Sequence, residues 1–253
     1  MPLCVFLVFM ATACLARGGE PLTVYYLRHA EGGHNVVREW KDKPKSEWPP
    51  YVGKENAFTP KGEQQVAELT AHLDGMDFDF VAVSPLWRAR NTILPYLRKK
   101  TLKAEIWPEL TETKSTTAFA GQSLPPARPE VLTGKKTLKI QEEDAGFLSL
   151  RGDAGTEPDL AAADEKQAAS DAIFLSQRVA EMLRSRFGGS GKSVLLVGHG
   201  NSGVTLARIL TGSSIPHLEN TGAWVAEEQA DGSFKLTSGG KTSKKWPVHA
   251  GAE

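Results

Sequence analysis

Cysteine is almost missing from this 253-residue chain, and its two copies, Cys4 and Cys14, both lie near the amino terminus. A mature protein lacking that segment would hold no thiol, which excludes thiolate catalysis, structural disulfides and cysteine-bound zinc together. An excess of either charge is missing too, since Lys plus Arg number 30 and Asp plus Glu number 30. Bulk charge therefore favours neither nucleic acid nor an anionic membrane surface, and any anion site must be local. The apolar run from Leu3 to Leu15 has about thirteen residues, too few to cross a bilayer as an ordinary helix, so no stable membrane span is expected. With small residues at Ala13, Cys14 and Ala16 and charge beginning at Arg17, residues 1–16 read as a signal peptide cleaved near Ala16. No Lys or Arg precedes the run, leaving the terminal amine as its only positive group. The expectation is export, periplasmic or secreted, with a cytoplasmic protein if the leader is retained. A lipoprotein using Cys14 is a weaker alternative, because Ala11 fits poorly three positions earlier.

What the chain does have is concentrated in Thr23 to Asn35, TVYYLRHAEGGHN. Val24, Tyr25, Tyr26 and Leu27 have the composition of a strand buried on both faces. The run ends in Arg28-His29, followed by Gly32-Gly33 and Asn35. A fixed cation, a nucleophile and flexible backbone donors around one point are the parts of a phosphate site. Taken alone, the stretch is equally the end of a strand with a core histidine.

The rest alternates strand and helix signals. Glu39 to Asn56 reads as a loop or short helix whose Trp40, Trp48 and Tyr51 either line a substrate wall or cap the core edge. Thr59-Pro60 supplies a cap and a first-position proline, and Val66, Leu69 and Leu73 then predict a helix over 60–73. Asp77 to Ser84 reads as a second buried strand leading into a helix that carries Arg88 in its first turn, where backbone N–H groups and the helix dipole attract anions. A short strand at Ala104 to Trp107 follows. Thr113 to about Ala169 is rich in Pro, Gly, Ala and charge with few large apolar residues, the pattern of an insertion lying over the site. Ala172 to Phe187 is amphipathic and helical. Ser193 to Val197 is a strand ending in Gly198-His199-Gly200, followed by a helix over 203–210 that stops at Gly212. A hairpin of Thr221 to Glu228 and Ser233 to Thr237 closes the fold. The reading is one α/β domain over 21–239, three-layered, with a mostly parallel central sheet and helices on both faces, an insertion at about 113–169 and a tail at 240–253.

Parallel strands present their carboxyl ends on one sheet edge, where Arg28, His29, Arg88 and His199 would converge. On these motifs the chain resembles the histidine phosphatase superfamily, the phosphoglycerate mutase-like fold. Arg28-His29-Ala30 with Asn35 matches its first signature, with alanine in place of the usual glycine. Thr59, Gly62 and Gln65 match its helix start, and Ser84, Leu86, Arg88, Ala89 and Thr92 its second basic element. Leu110 with Glu112, and Gly198-His199-Gly200, complete five ordered matches.

The resemblance implies a metal-independent, cofactor-free phosphatase for a small phosphorylated substrate, with a phosphohistidine formed on His29. Arg28, Arg88 and His199 would hold the equatorial oxygens. Asn35 would bind the phosphoryl group or order its loop, and the Gly200 backbone would bind phosphate. The related branch draws a proton from an aspartate directly after the second histidine, where this chain has Gly200. Glu112 is then the candidate general acid, which a bound phosphate would keep protonated, with Glu109 and Glu31 as rivals. His34 could reach the phosphate or leaving group, while His72, His217 and His249 read as surface or packing residues. A zinc site of His29, His34 and His199 would be opposed by two arginines. Lys114, Arg128, Lys135 and Lys136 either grip further phosphates or face water. Phosphoglycerate mutase-type transfer and a non-catalytic phospho-ligand module are the alternatives, and export favours hydrolysis over a glycolytic mutase.

Overall fold

Strand β1 (Thr23–Arg28) is apolar on both faces because both faces are covered, and its alternate side chains enter two different cores. The computed structural model describes residues 19–134, 136–153 and 155–240. The expected leader, Lys135, His249 and the tail beyond residue 240 lie outside the described residues.

In chain order β1 is followed by a single-turn helix α1 (Val37–Trp40), α2 (Pro60–Leu73), β2 (Phe80–Val83), α3 (Trp87–Lys100) and β3 (Ala104–Ile106). Then come β4 (Leu148–Leu150), α4 (Glu165–Phe187), β5 (Ser193–Gly198), α5 (Gly200–Thr211), β6 (Ala223–Glu228) and β7 (Phe234–Gly240). The sheet has seven strands in the order β4-β3-β2-β5-β1-β6-β7. All neighbours from β4 to β1 are parallel, and β6 is antiparallel to both β1 and β7.

Tyr25, Leu27, Val81, Val83, Leu195 and Val197 pack with Leu69 and Leu73 of α2 and Ile93 and Leu97 of α3. On the opposite face Val24, Tyr26, Ala82, Val194 and Leu196 pack with Val179 and Leu183 of α4 and Leu206 and Leu210 of α5. These are the three layers expected, and burial of the two faces supplies the main stabilising term. The local signals behave as the sequence implies. Thr59 Oγ1 accepts from Gly62 N–H at 3.0 Å, so α2 starts where the cap and proline place it. Gly212 ends α5 in a left-handed conformation, φ 70°.

The segment expected to be an insertion over 113–169 departs from that reading in two ways. Its residues Leu148–Leu150 form β4, paired in parallel with β3, so it extends the sheet as well as covering it. A three-residue strand carries too little alternation to be recognised. Helix α4 begins at Glu165 rather than near Ala172, because Asp164 caps it by accepting from Gln167 N–H at 2.8 Å, which holds a polar first turn helical. Strand β2, at Phe80–Val83, is shorter than the expected 77–84, and α5 begins at Gly200 rather than 203.

Candidate active site

Three neighbouring strands end level with one another. In the register of the sheet Arg28 of β1 lies opposite Gly198 of β5, and Val83 of β2 lies opposite Val197. The residues that follow continue this match: His29 N–H donates to Gly198 O at 3.0 Å and Ser84 N–H to Val197 O at 2.9 Å. His29, His199 and Ser84 are thereby placed side by side, and the two imidazoles lie 5.0 Å apart between ring centroids.

His29 is fully buried, and its Nδ1–H donates to Ala30 O at 2.7 Å. A carbonyl can only accept, so the proton sits on Nδ1 and Nε2 keeps its lone pair. Arg88 Nε donates to that Nε2 at 3.3 Å. Burial, and then the Arg88 and Arg28 guanidiniums, hold this imidazole well below its ordinary value despite the carbonyl partner, so it stays neutral. Ala30 N–H donates to Thr92 Oγ1 at 2.9 Å.

His199 is also fully buried and is held neutral by desolvation first and by its basic neighbours second. Its Nε2 lies 2.7 Å from Ser84 Oγ, which itself receives Leu86 N–H at 3.3 Å. With the serine proton given to Nε2, the ring proton is on Nδ1, a buried donor with no hydrogen-bond partner among the described residues. Tyr26 fixes this histidine from behind, since its hydroxyl receives His199 N–H at 2.8 Å and donates to His199 O at 2.9 Å. A Cβ on Gly198 or Gly203 would lie 2.3 Å from the Tyr26 ring or hydroxyl, which is why both flanking positions are glycine. Tyr26 in turn stacks on Trp224 at 5.2 Å.

Arg28 Nη1 donates to Leu218 O at 2.6 Å and to His217 Nε2 at 3.1 Å, leaving its buried Nε without a partner among the described residues. His217 is exposed, as expected of a surface residue, and it also supports the first arginine; partial burial and then Arg28 lower its protonation range. A Cβ on Gly200 would lie 2.9 Å from the His217 ring and 3.4 Å from Arg28 Nε. The position after the second histidine has no room for an aspartate. Gly200 instead opens α5, and Trp87, next to Arg88, opens α3.

Glu112 is half-buried, and its Oε2 accepts from Arg88 Nη2 at 2.5 Å and stands 3.8 Å from His199 Nδ1. Its two rivals are committed elsewhere. Glu109, fully buried, forms a bidentate pair with Arg151 at 2.7 and 2.9 Å, and Glu31 binds Thr59 Oγ1 and Lys61 Nζ, each at 2.8 Å. Asn35 orders its loop: its Oδ1 accepts from Gly32 N–H at 2.9 Å and from Asn220 Nδ2 at 3.3 Å. Asn220 also reaches His29 O at 3.1 Å. Nothing in the sequence around Asn220 signalled this, because it is a lone amide in a loop.

A ring nitrogen each from His29 and His34 and a carboxylate oxygen of Glu112 lie within 4.8 Å of one another, spacing that a metal ion could use. The same groups are shared with Arg88, which bonds both His29 and Glu112, so the charge pattern suits an oxyanion rather than a cation. Beside Glu112 a cavity of about 360 Å³ is lined by Thr113, Lys114, Leu160 and Asn201, so part of the 113–164 segment does border the site. Of the other cations considered, Arg128 is held by Asp171 and Lys136 by Glu157. Only Lys114 of the described set faces that cavity.

Residues 24–128 match the family model of the histidine phosphatase superfamily (branch 1). No curated protein sequence matches the chain. Among solved structures, a phosphoserine phosphatase from Entamoeba histolytica in complex with phosphoserine shares the fold at TM-score 0.52 and 19% identity, over 89% of this chain and 100% of that one. A phosphoglycerate mutase from Bacillus anthracis is similar at TM-score 0.52 and 22% identity, over 88% of this chain and 94% of that one. A mycobacterial glucosyl-3-phosphoglycerate phosphatase in complex with VO3 is similar at TM-score 0.52 and 15% identity, over 87% and 99%. At these identities the structures establish the phosphoglycerate mutase-like fold.

Proposed function

We propose, on the premise of the matched histidine phosphatase superfamily, that this chain hydrolyses small phosphomonoesters through a phosphohistidine on His29. The observation that carries the reading is a buried, neutral imidazole whose Nε2 keeps its lone pair toward Arg88 Nε, beside Arg28 Nε and His199 Nδ1, two buried donors without partners among the described residues. A tetrahedral oxyanion supplies the acceptors those donors require.

The steps follow from the geometry. Nε2 of His29 attacks phosphorus in line, the P–O bond to the leaving group breaks, and Glu112 gives that oxygen its proton. Arg28, Arg88 and His199 hold the remaining phosphoryl oxygens as negative charge shifts, and preorganised donors of this kind provide most of what phosphoryl transfer needs. Glu112 then takes a proton from water as it attacks, returning the electron pair of the P–N bond to His29. No step calls for a metal.

Incubation with p-nitrophenyl phosphate and with phosphoserine in EDTA tests this. Wild type should release phosphate and His29→Ala should not. Phosphoglycerate mutase activity without hydrolysis would replace the reading with a mutase, and phosphate binding without turnover would replace it with a binding module. We further propose that residues 1–16 direct export. Amino-terminal sequencing of protein recovered outside the cytoplasm should begin just after Ala16, and an intact Met1 on cytoplasmic protein would refute it.

A further inference from the structure

His34 stands next to His29, with 5.6 Å between ring centroids, and neither of its buried ring nitrogens has a hydrogen-bond partner among the described residues. Two unpartnered polar atoms on one buried ring are unfavourable unless a ligand or water satisfies them. The backbone makes room for the ring in this position, since a Cβ on Gly32 would lie 2.8 Å from His34 Nδ1. One nitrogen of His34 and a carboxylate oxygen of Glu112 lie within 4.8 Å of each other and of a nitrogen of His29, so both flank the position that a phosphoryl group on His29 would take.

We propose that His34 is a further catalytic residue, accepting a hydrogen bond from the water that hydrolyses the phosphohistidine while Glu112 takes that water's other proton. The inference rests on the phosphatase reading above. In the step, the water oxygen forms a bond to phosphorus, its O–H bond breaks toward the Glu112 carboxylate, and the P–N bond breaks with its electron pair returning to His29 Nε2. Inorganic phosphate leaves. Burial, and then the charge of Arg88, hold His34 down to about 4, so at neutral pH it has a free lone pair to accept with. Its N–H can serve a phosphoryl oxygen, but its lone pair needs a donor, which the phosphoryl group lacks and the water has. A neutral imidazole poised for water also favours hydrolysis over return of the phosphoryl group to a bound product.

Rapid-mix kinetics with p-nitrophenyl phosphate separate formation of the phosphoenzyme from its breakdown. For His34→Ala the first turnover should keep its rate, while steady-state turnover falls about tenfold to a hundredfold, a share of general acid–base catalysis. Protein quenched in alkaline detergent, where the P–N bond survives, should then carry phosphate on His29. His34→Gln, which keeps an acceptor, should recover part of the loss and guards against misfolding of the alanine variant. Equal slowing of both phases, or no accumulation of phosphoenzyme in either variant, would overturn the role. A His29→Ala variant that still releases phosphate would instead overturn the phosphatase reading itself.

Discussion

Glu109 and Glu112 are three positions apart and chemically alike, yet the structure gives them separate tasks. Glu109 is neutralised by a bidentate arginine in the interior, while Glu112 shares Arg88 with the nucleophile. Glu112→Gln should lower kcat by about 10²–10⁴-fold with little change in the denaturant midpoint. A kcat within twofold of wild type would remove it as the acid. The imidazoles make a second prediction. His29, His199 and His34 are all depressed, the last to about 4, so the folded state binds fewer protons than the unfolded one below about pH 6.5. Their contribution to stability is whole above that value and is lost as the pH falls toward 4. Melting temperature should therefore drop between about pH 6.5 and 4, less steeply in His34→Gln, whereas kcat/KM should persist below pH 6.5 because His29 Nε2 is still bare. An activity limb centred at about 6.5 would contradict the buried neutral nucleophile. At this scale the sequence was informative on which polar side chains meet, as with His29, Arg88 and Glu112, which the structure brings together. It was silent on His217 and Asn220, which act by touching residues nearly two hundred positions away.

Elements were legible where they carry their own punctuation. Thr59-Pro60 and Gly212 marked helix ends because capping and left-handed backbone are local events. Strand β4 and the first turn of α4 were not legible, since one depends on a neighbour's edge and the other on a single cap. Tyr26 shows how an element supports the candidate site from behind: from within β1 it bonds both the N–H and the carbonyl of His199, just after β5. Tyr26→Phe leaves the His199 N–H buried and unpaired, while the carbonyl keeps Gly203 N–H, so unfolding by urea should show a loss of about 1–3 kcal/mol. Turnover should fall more than KM rises, because His199 loses its seat rather than its charge. A variant with wild-type stability and turnover would show that the hydroxyl does neither.

At the scale of the molecule, Arg151 connects the turn after β3, the loop after β4 and helix α4 through Glu109, Asp153 and Met182. Arg151→Ala strands the Glu109 carboxylate in the interior and should destabilise the fold by about 3–5 kcal/mol, read by denaturant unfolding, while the folded fraction still cleaves p-nitrophenyl phosphate. Loss of activity without loss of stability would instead make Glu109 a participant in the chemistry.

Strand β5, which arrives late in the chain, lies between β1 and β2. The stretch bearing most of the family's signatures, residues 24–128, thus has a gap at its own centre until the polypeptide is nearly complete. Ribosome-bound or prematurely ended chains would carry His29 and Glu112 but no continuous sheet to seat them, so the proposed hydrolysis would begin only when the last central strand has slotted home.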